Sequence, residues 1–175
     1  EYGRYLPSPT RFPSCMVDGA NRGFKAMADS IHRMGLKFGI HIMRGLPKYI
    51  LDEPSAYKLK GSEGTPWNRV YKSTTPECTW LQDNLTIQNN EYGQVYYNSL
   101  FDLYAEWGVD FIKIDDLSRP FYTDEIRMIR KAIDQTGRPI VLSLSPGKTH
   151  FQYAQDCLDN ANMWRMMDDL WDTWS

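Results

Sequence analysis

One unit repeats four times in this chain: an amphipathic helix, a glycine or asparagine, then a short apolar run. In "NRGFKAMADSIHRMG", Phe24, Met27, Ile31 and Met34 fall at helical spacing, and Gly35 suits the left-handed residue that ends a helix. "LKFGIHIM" follows. In "YGQVYYNSLFDLYAEWG", Tyr96, Leu100, Leu103 and Trp107 form the stripe, Gly108 closes it, and "VDFIKID" follows. In "TDEIRMIRKAIDQTG", Thr123 is the predicted N-cap, Ile126, Ile129 and Ile133 the stripe, and "PIVLSLS" follows Gly137. A weaker helix, "HFQYAQDCLDN", precedes "ANMWRMMDD".

Alternating helices and short buried strands imply a parallel sheet covered by helices. The unit predicts strands at 37–43, 109–115, 139–145 and 161–167, parallel and adjacent in that order. Their C-terminal ends carry polar clusters: His41 and Arg44; Lys113, Asp115 and Asp116; Ser143 and Ser145; Arg165, Asp168 and Asp169. Polar ends on one edge are what the active face of a (β/α)8 barrel requires. A doubly wound sheet would also place ligands there, but no Gly-rich phosphate loop follows any strand. A closed barrel takes about 250 residues, so four units in 175 residues read as about half of one. Residues 1–175 are therefore read as a partial barrel that lacks two units before and two after. Its open edges call for the missing half or an oligomeric partner. Residues 44–91 are a long irregular stretch with Pro47, Pro54, Pro66 and Pro76. This active-site loop is expected to fold over the mouth and offer Trp67 and Trp80.

Composition narrows the partners. With 42% hydrophobic residues and a net charge of −2, the chain has the mass for a core and no clustered positive field for nucleic acid. No apolar run approaches the roughly 18 residues of a membrane span. Cys15, Cys78 and Cys157 are far apart, no CxxC or HExxH occurs, and the histidines do not cluster. Neither a structural zinc site nor a disulfide framework is expected.

The strand ends suggest chemistry. Lys113 and Asp115 share a strand face, and a cation beside a carboxylate favours its charged, nucleophilic form. Arg165 and Asp169 lie four apart. A general acid must hold a proton near neutral pH, and the charge of Asp168 or Asp115 would help Asp169 do so. Two carboxylates across a sugar-sized pocket are the apparatus of glycoside hydrolysis. The plain alternatives are a helix-capping pair at "KIDD" and a surface salt-bridge cluster at "RMMDDLWD". A third reading places Mg²⁺ on Asp115, Asp116 and Asp169 for enolisation or phosphate chemistry.

At these residues the chain resembles the α-galactosidase and α-N-acetylgalactosaminidase family of retaining enzymes (glycoside hydrolase family 27, clan D), in its bacterial branch. The likeness lies in "RFPS", "GLKFGIH", "WGVDFIKIDD", "RPIVLSLSPG" and "NMWRMMDDLWDTW". It implies a TIM barrel acting without a cofactor on oligosaccharides or glycoconjugates that end in an α-galactose-type sugar. It implies Asp115 as nucleophile and Asp169 as acid/base. Lys113, Arg165, His41, Ser145, Asp116 and Trp80 are the expected substrate-binding residues. His41 stands where the family usually has a tyrosine, and Ser145 where α-galactosidases carry a glutamate near the sugar 2-position. Cys78 lies where many members have a disulfide cysteine, whose usual partner position here is Leu117. An α-galactosidase is the first reading. An α-N-acetylgalactosaminidase or a β-L-arabinopyranosidase is the alternative within the family, and a non-catalytic carbohydrate-binding barrel the alternative outside it. A secreted or periplasmic bacterial location is the expectation.

Overall fold

In a computed structural model, which describes residues 2–170, the repeated unit appears as a small parallel sheet with helices on one side. The chain opens with a two-residue antiparallel ribbon, β1 (Met16–Val17) and β2 (Ala20–Asn21), followed by α1 (Lys25–Arg33). Then come β3 (Gly39–Met43), a second ribbon of β4 (Leu46–Pro47) and β5 (Asn84–Leu85), and α2 (Glu91–Trp107). β6 (Phe111–Asp115), α3 (Thr123–Gln135), β7 (Val141–Leu144) and α4 (Ala154–Asn160) complete the order.

The sheet runs β3-β6-β7, parallel throughout. The fourth predicted strand is reduced to one parallel bridge, Ser143 to Met163. The Leu144 amide donates to Met163 O at 2.9 Å and the Met163 amide to Leu142 O at 3.1 Å. The predicted neighbour order therefore holds, although the last member is a contact rather than a strand. No closed barrel forms among the described residues. The Trp171–Ser175 end of "NMWRMMDDLWDTW" lies outside them.

The alternation along β6 explains the layering. Ile112 and Ile114 are fully buried, as are Leu142 and Leu144 of β7, and Ile126, Ile129 and Ile133 of α3 join them in the core. Phe111, Lys113 and Asp115 point the other way and are half-buried. α2 ends at Gly108, whose φ of +83° is the left-handed turn read from the sequence. Its start is capped by Asn90, whose side chain accepts from the Gly93 amide at 2.9 Å. Thr123 is not the cap expected for α3: it is the first helical residue, after Tyr122. Gly23, at φ +68°, packs so closely that a Cβ there would collide with the Trp107 indole.

The stretch 44–91 contributes to the common core. Leu46, Ile50, Leu59, Val70 and Leu85 are fully buried. Trp67, expected at the mouth, is instead buried; its Nε1 donates to Tyr57 O at 3.1 Å and its ring meets Tyr96 of α2 edge-on. An indole covers a large apolar area and needs one acceptor, and both are available here. No helix among the described residues is long and apolar enough to cross a membrane.

Asp110 ties the N-terminal ends of the strands together. It accepts from the Phe38 amide at 2.8 Å and pairs with His32 and Arg138, each at 2.7 Å. Burial opposes its charge, but the Phe38 amide, His32 and Arg138 outweigh it and hold the carboxyl below its ordinary value. Such a carboxylate contributes stability above its unfolded pKa, which is lost as the pH falls toward the folded one. In the full-length protein, Asp110→Asn should cost about 1.5–3 kcal/mol at neutral pH, the range for hydrogen bonds to charged groups. That gap should shrink below about pH 4, where the unfolded carboxyl protonates before the folded one; urea unfolding across pH measures both. The inner sheet face is open at Val141 and Met163, which are 38% and 55% exposed. Expressed alone, the 175-residue chain should therefore self-associate. Sedimentation and calorimetry should find no monomer with a sharp cooperative melt.

Candidate active site

Partners in a parallel ladder point to the same side of the sheet, so the register decides which polar residues meet. His41 pairs with Lys113, Lys113 with Ser143, and Ser143 bridges Met163, which makes one level of the inner face. Two residues on, Met43 pairs with Asp115. Ser145 and Arg165 follow their strands by the same two-residue step. The predicted polar residues thus rise to the C-terminal edge of three neighbouring strands and the segment beyond.

Asp115 lies low in this edge, with its side chain 18% exposed. Its Oδ2 is 3.4 Å from His41 Nε2, and its Oδ1 accepts from the Asp116 amide at 3.2 Å. Lys113 stands half-buried on the same side, one step below. Asp169 forms an ion pair with Arg165, as their spacing of four suggested. Ser145 is buried, and its carbonyl accepts from the Leu117 amide at 2.8 Å and the Ser118 amide at 3.2 Å. Those bonds stitch the end of β7 to the turn after β6. Trp80 is exposed on the long loop.

Two expectations change. Asp168, offered as a like charge for Asp169, is tied into ion pairs of its own. Arg119 Nη1 holds it at 2.7 Å, the Lys148 amide donates at 3.2 Å, and Lys148 Nζ is 3.6 Å away. The Lys148 amide, with the charges of Arg119 and Lys148, keeps its carboxyl below the ordinary value. Asp116, expected to bind substrate, is 1% exposed and turned away from the open face. The reason is its backbone: at φ +62° the chain reverses hand directly after Asp115. Asp116 Oδ2 then meets Arg44 Nη2 at 2.9 Å. The Mg²⁺ reading needs Asp115, Asp116 and Asp169 to converge, and the pairing of Asp116 with Arg44 removes one of the three. No group of three or more His, Cys, Asp or Glu side chains suited to a metal occurs among the described residues.

Sequence reading noted Arg44 as a polar strand end and missed its role. The guanidinium is 3% exposed, pairs with Asp116 and Glu125, and lies 3.4 Å from the centre of the Tyr122 ring. Tyr97 donates to the second oxygen of Glu125. Burial pushes the Glu125 carboxyl above its ordinary value, while Arg44 and Tyr97 oppose it. Burial does the same to Asp116, against Arg44 and Cys78, with the charge of Asp115 adding to the rise. Glu125 sits in the first turn of α3, where an acidic residue reads as a favourable helix charge, although its spacing of three, four and seven from the buried Met128, Ile129 and Ala132 already placed it on the inward face. Cys78 is a free, buried thiol and Leu117 is fully buried.

The model of the alpha galactosidase A family (Melibiase_2) matches residues 82–175. The alpha-N-acetylgalactosaminidase of Gallus gallus is 29% identical, over 98% of this chain and 33% of its own. A GH27 β-L-arabinopyranosidase from Geobacillus stearothermophilus is 46% identical, with a TM-score of 0.89, over 99% of this chain and 40% of its own. An Asp→Ala variant of that enzyme has been solved in complex with arabinose. A Bacillus halodurans structure described as a putative alpha-N-acetylgalactosaminidase is 42% identical, with a TM-score of 0.76, over 99% of this chain and 38% of its own. The chain spans about a third of the curated relatives' length and about two fifths of these solved chains.

Proposed function

The chain belongs to the alpha galactosidase A family, and on that footing we propose that its parent protein is a retaining exo-glycosidase for sugars of α-D-galactopyranosyl configuration. The sheet is read as four consecutive units of a (β/α)8 barrel, spanning 1–175, with 44–91 as an elaborated loop beside the mouth. The observation that carries the reading is the polar edge itself. His41, Lys113 and Asp115 come from paired positions of parallel strands, and Arg165 and Asp169 follow from the next segment.

In the proposed mechanism Asp115 attacks the anomeric carbon. Lys113, on the same strand face, donates to a sugar hydroxyl, and His41, 3.4 Å from Asp115 Oδ2, offers a second ring-nitrogen contact. Asp169 protonates the leaving oxygen, then removes a proton from the water that cleaves the glycosyl-enzyme. Arg165 orients Asp169 through their ion pair. Retaining enzymes hold these two carboxyl groups about 5–5.5 Å apart, because one of them attacks directly. Asp116 is left out of the substrate contacts, and Ser145 is assigned to the neighbourhood of the sugar 2-position.

Among substrates, a β-L-arabinopyranoside has the ring stereochemistry of an α-D-galactopyranoside without the exocyclic hydroxymethyl group. The 46% identity to an arabinopyranosidase favours that pentoside. An α-D-galactoside is the second reading, supported by the name of the family. The full-length protein should therefore hydrolyse nitrophenyl β-L-arabinopyranoside with a higher kcat/KM than the α-D-galactopyranoside, and both above the 2-acetamido analogue. The reverse order would return the galactoside to first place. Failure on all three would favour a carbohydrate-binding barrel without catalysis.

The roles of the two carboxylates are separable. Asp115→Ala should abolish turnover, since nothing else can form the glycosyl-enzyme. Asp169→Ala should lose about 10²–10⁴-fold on poor leaving groups, the usual worth of general acid–base help, and much less on activated aryl glycosides. Azide should rescue Asp169→Ala and yield a glycosyl azide of retained configuration. A first product of inverted configuration, seen by NMR, would remove Asp115 from the nucleophile's role.

A further inference from the structure

The charged side chain that holds the turn after Asp115 belongs to another strand. Arg44 follows β3 directly, and its amide donates to Asp115 O at 3.1 Å. Its Nε donates to Asp116 O at 2.7 Å, and its Nη2 meets Asp116 Oδ2 at 2.9 Å. Its Nη1 reaches Glu125 Oε1 at 2.6 Å and Thr86 Oγ1 at 3.0 Å. The guanidinium plane lies over Tyr122, and Asn84 Nδ2 donates to Arg44 O at 3.0 Å. Arg44 thus grips the two peptides that flank Asp116 and is itself held by the long loop and α3.

The local conformation needs such a grip. Asp116 has φ +62°, a region in which a residue with a Cβ is uncommon and which Asn and Asp tolerate best. Relaxed to an extended conformation, that turn would swing the end of β6 and redirect the Asp115 carboxylate. Reaching Asp116 O, Asp116 Oδ2, Glu125 and Thr86 together takes the flat, five-donor fork of a guanidinium; an ammonium at one point cannot span them.

We infer that Arg44 is a positioning residue for Asp115: by clamping the left-handed turn at Asp116 it sets the direction from which the carboxylate attacks. This rests on Asp115 being the nucleophile, as proposed above. Arg44 is not placed against the sugar. Asp116, in turn, is the clamp's partner rather than a substrate ligand.

The test uses the full-length protein and a galacto-configured cyclophellitol aziridine, which esterifies a carboxylate nucleophile. Peptide mapping of the labelled wild type reports the nucleophile by itself. Label found elsewhere than Asp115 would end that reading, and this inference with it, before any variant is compared. With Asp115 labelled, end-point labelling counts competent sites and the inactivation rate reads attack, so a merely structural loss lowers the count and leaves the rate. Arg44→Lys and Asp116→Ala should slow inactivation about tenfold to hundredfold, the scale of a misplacement near 1 Å, at full end-point labelling. Asp116→Asn keeps both the tolerance for the turn and an acceptor for Arg44, and should stay within about threefold of wild type. If Arg44→Lys yields no folded protein, the contrast between Asp116→Asn and Asp116→Ala decides alone. An Asn variant as slow as the Ala variant, or both as fast as wild type, overturns the inference.

Discussion

The parallel register of β3, β6 and β7 is the constraint on which the rest depends. Because side chains alternate across a strand, that register alone sends Ile112, Ile114, Leu142 and Leu144 into the helices and Lys113, Asp115 and Ser143 to the other side. A slip of one residue on β6 would bury Lys113 among α2 and α3 and expose the isoleucines. The apolar core therefore enforces the geometry of the polar edge. The Asp110 cluster holds the other end of the same strands through the Phe38 amide and Arg138. One end of the sheet is pinned by a charge network devoted to stability, and the other carries groups free for chemistry.

The long stretch 44–91 is bound into this scheme by burial and by charge. Its buried residues join the common core, and Trp67 against Tyr96 anchors it to α2. At its start Arg44 joins it to the turn after β6 and to the first turn of α3. Buried ion pairs add little to stability over a well-packed apolar cluster, because two charges must leave water. What they provide is geometry, since a guanidinium is satisfied in few arrangements. An Arg–Asp–Glu cluster directly behind the candidate nucleophile is consistent with selection for position rather than for stability.

Much of this was legible. The three helices and their closing glycines appear where periodicity placed them, because burying an apolar stripe and ending it at a left-handed residue are local requirements; Met34, read into the first stripe, instead follows the end of α1 and is exposed. The polar strand ends were equally legible, as was the Arg165–Asp169 spacing. The misses have physical reasons. The fourth strand shrank to a bridge at Met163, since β-pairing depends on a partner as well as on a sequence. Trp67 and Asp116 were assigned to the mouth by their place in the long loop and at a strand end, yet one found an acceptor in the core and the other an arginine that follows a different strand.

By itself, then, the sequence determined the repeating unit, the parallel sheet, the apolar core and which residues stand at the strand ends. These follow from periodicities of 3.6 and 2 and from chain punctuation, which act over a few residues. Only the tertiary structure decided what each polar group faces. Arg44 and Asp116 are 72 residues apart, and Arg44 and Glu125 are 81 apart. No local pattern encodes such a meeting; it arises when β3 and β6 pair and the helix after β6 folds back across them. Direction is likewise a tertiary property: the left-handed turn at Asp116 sends one of two adjacent aspartates to the open face and the other into the interior.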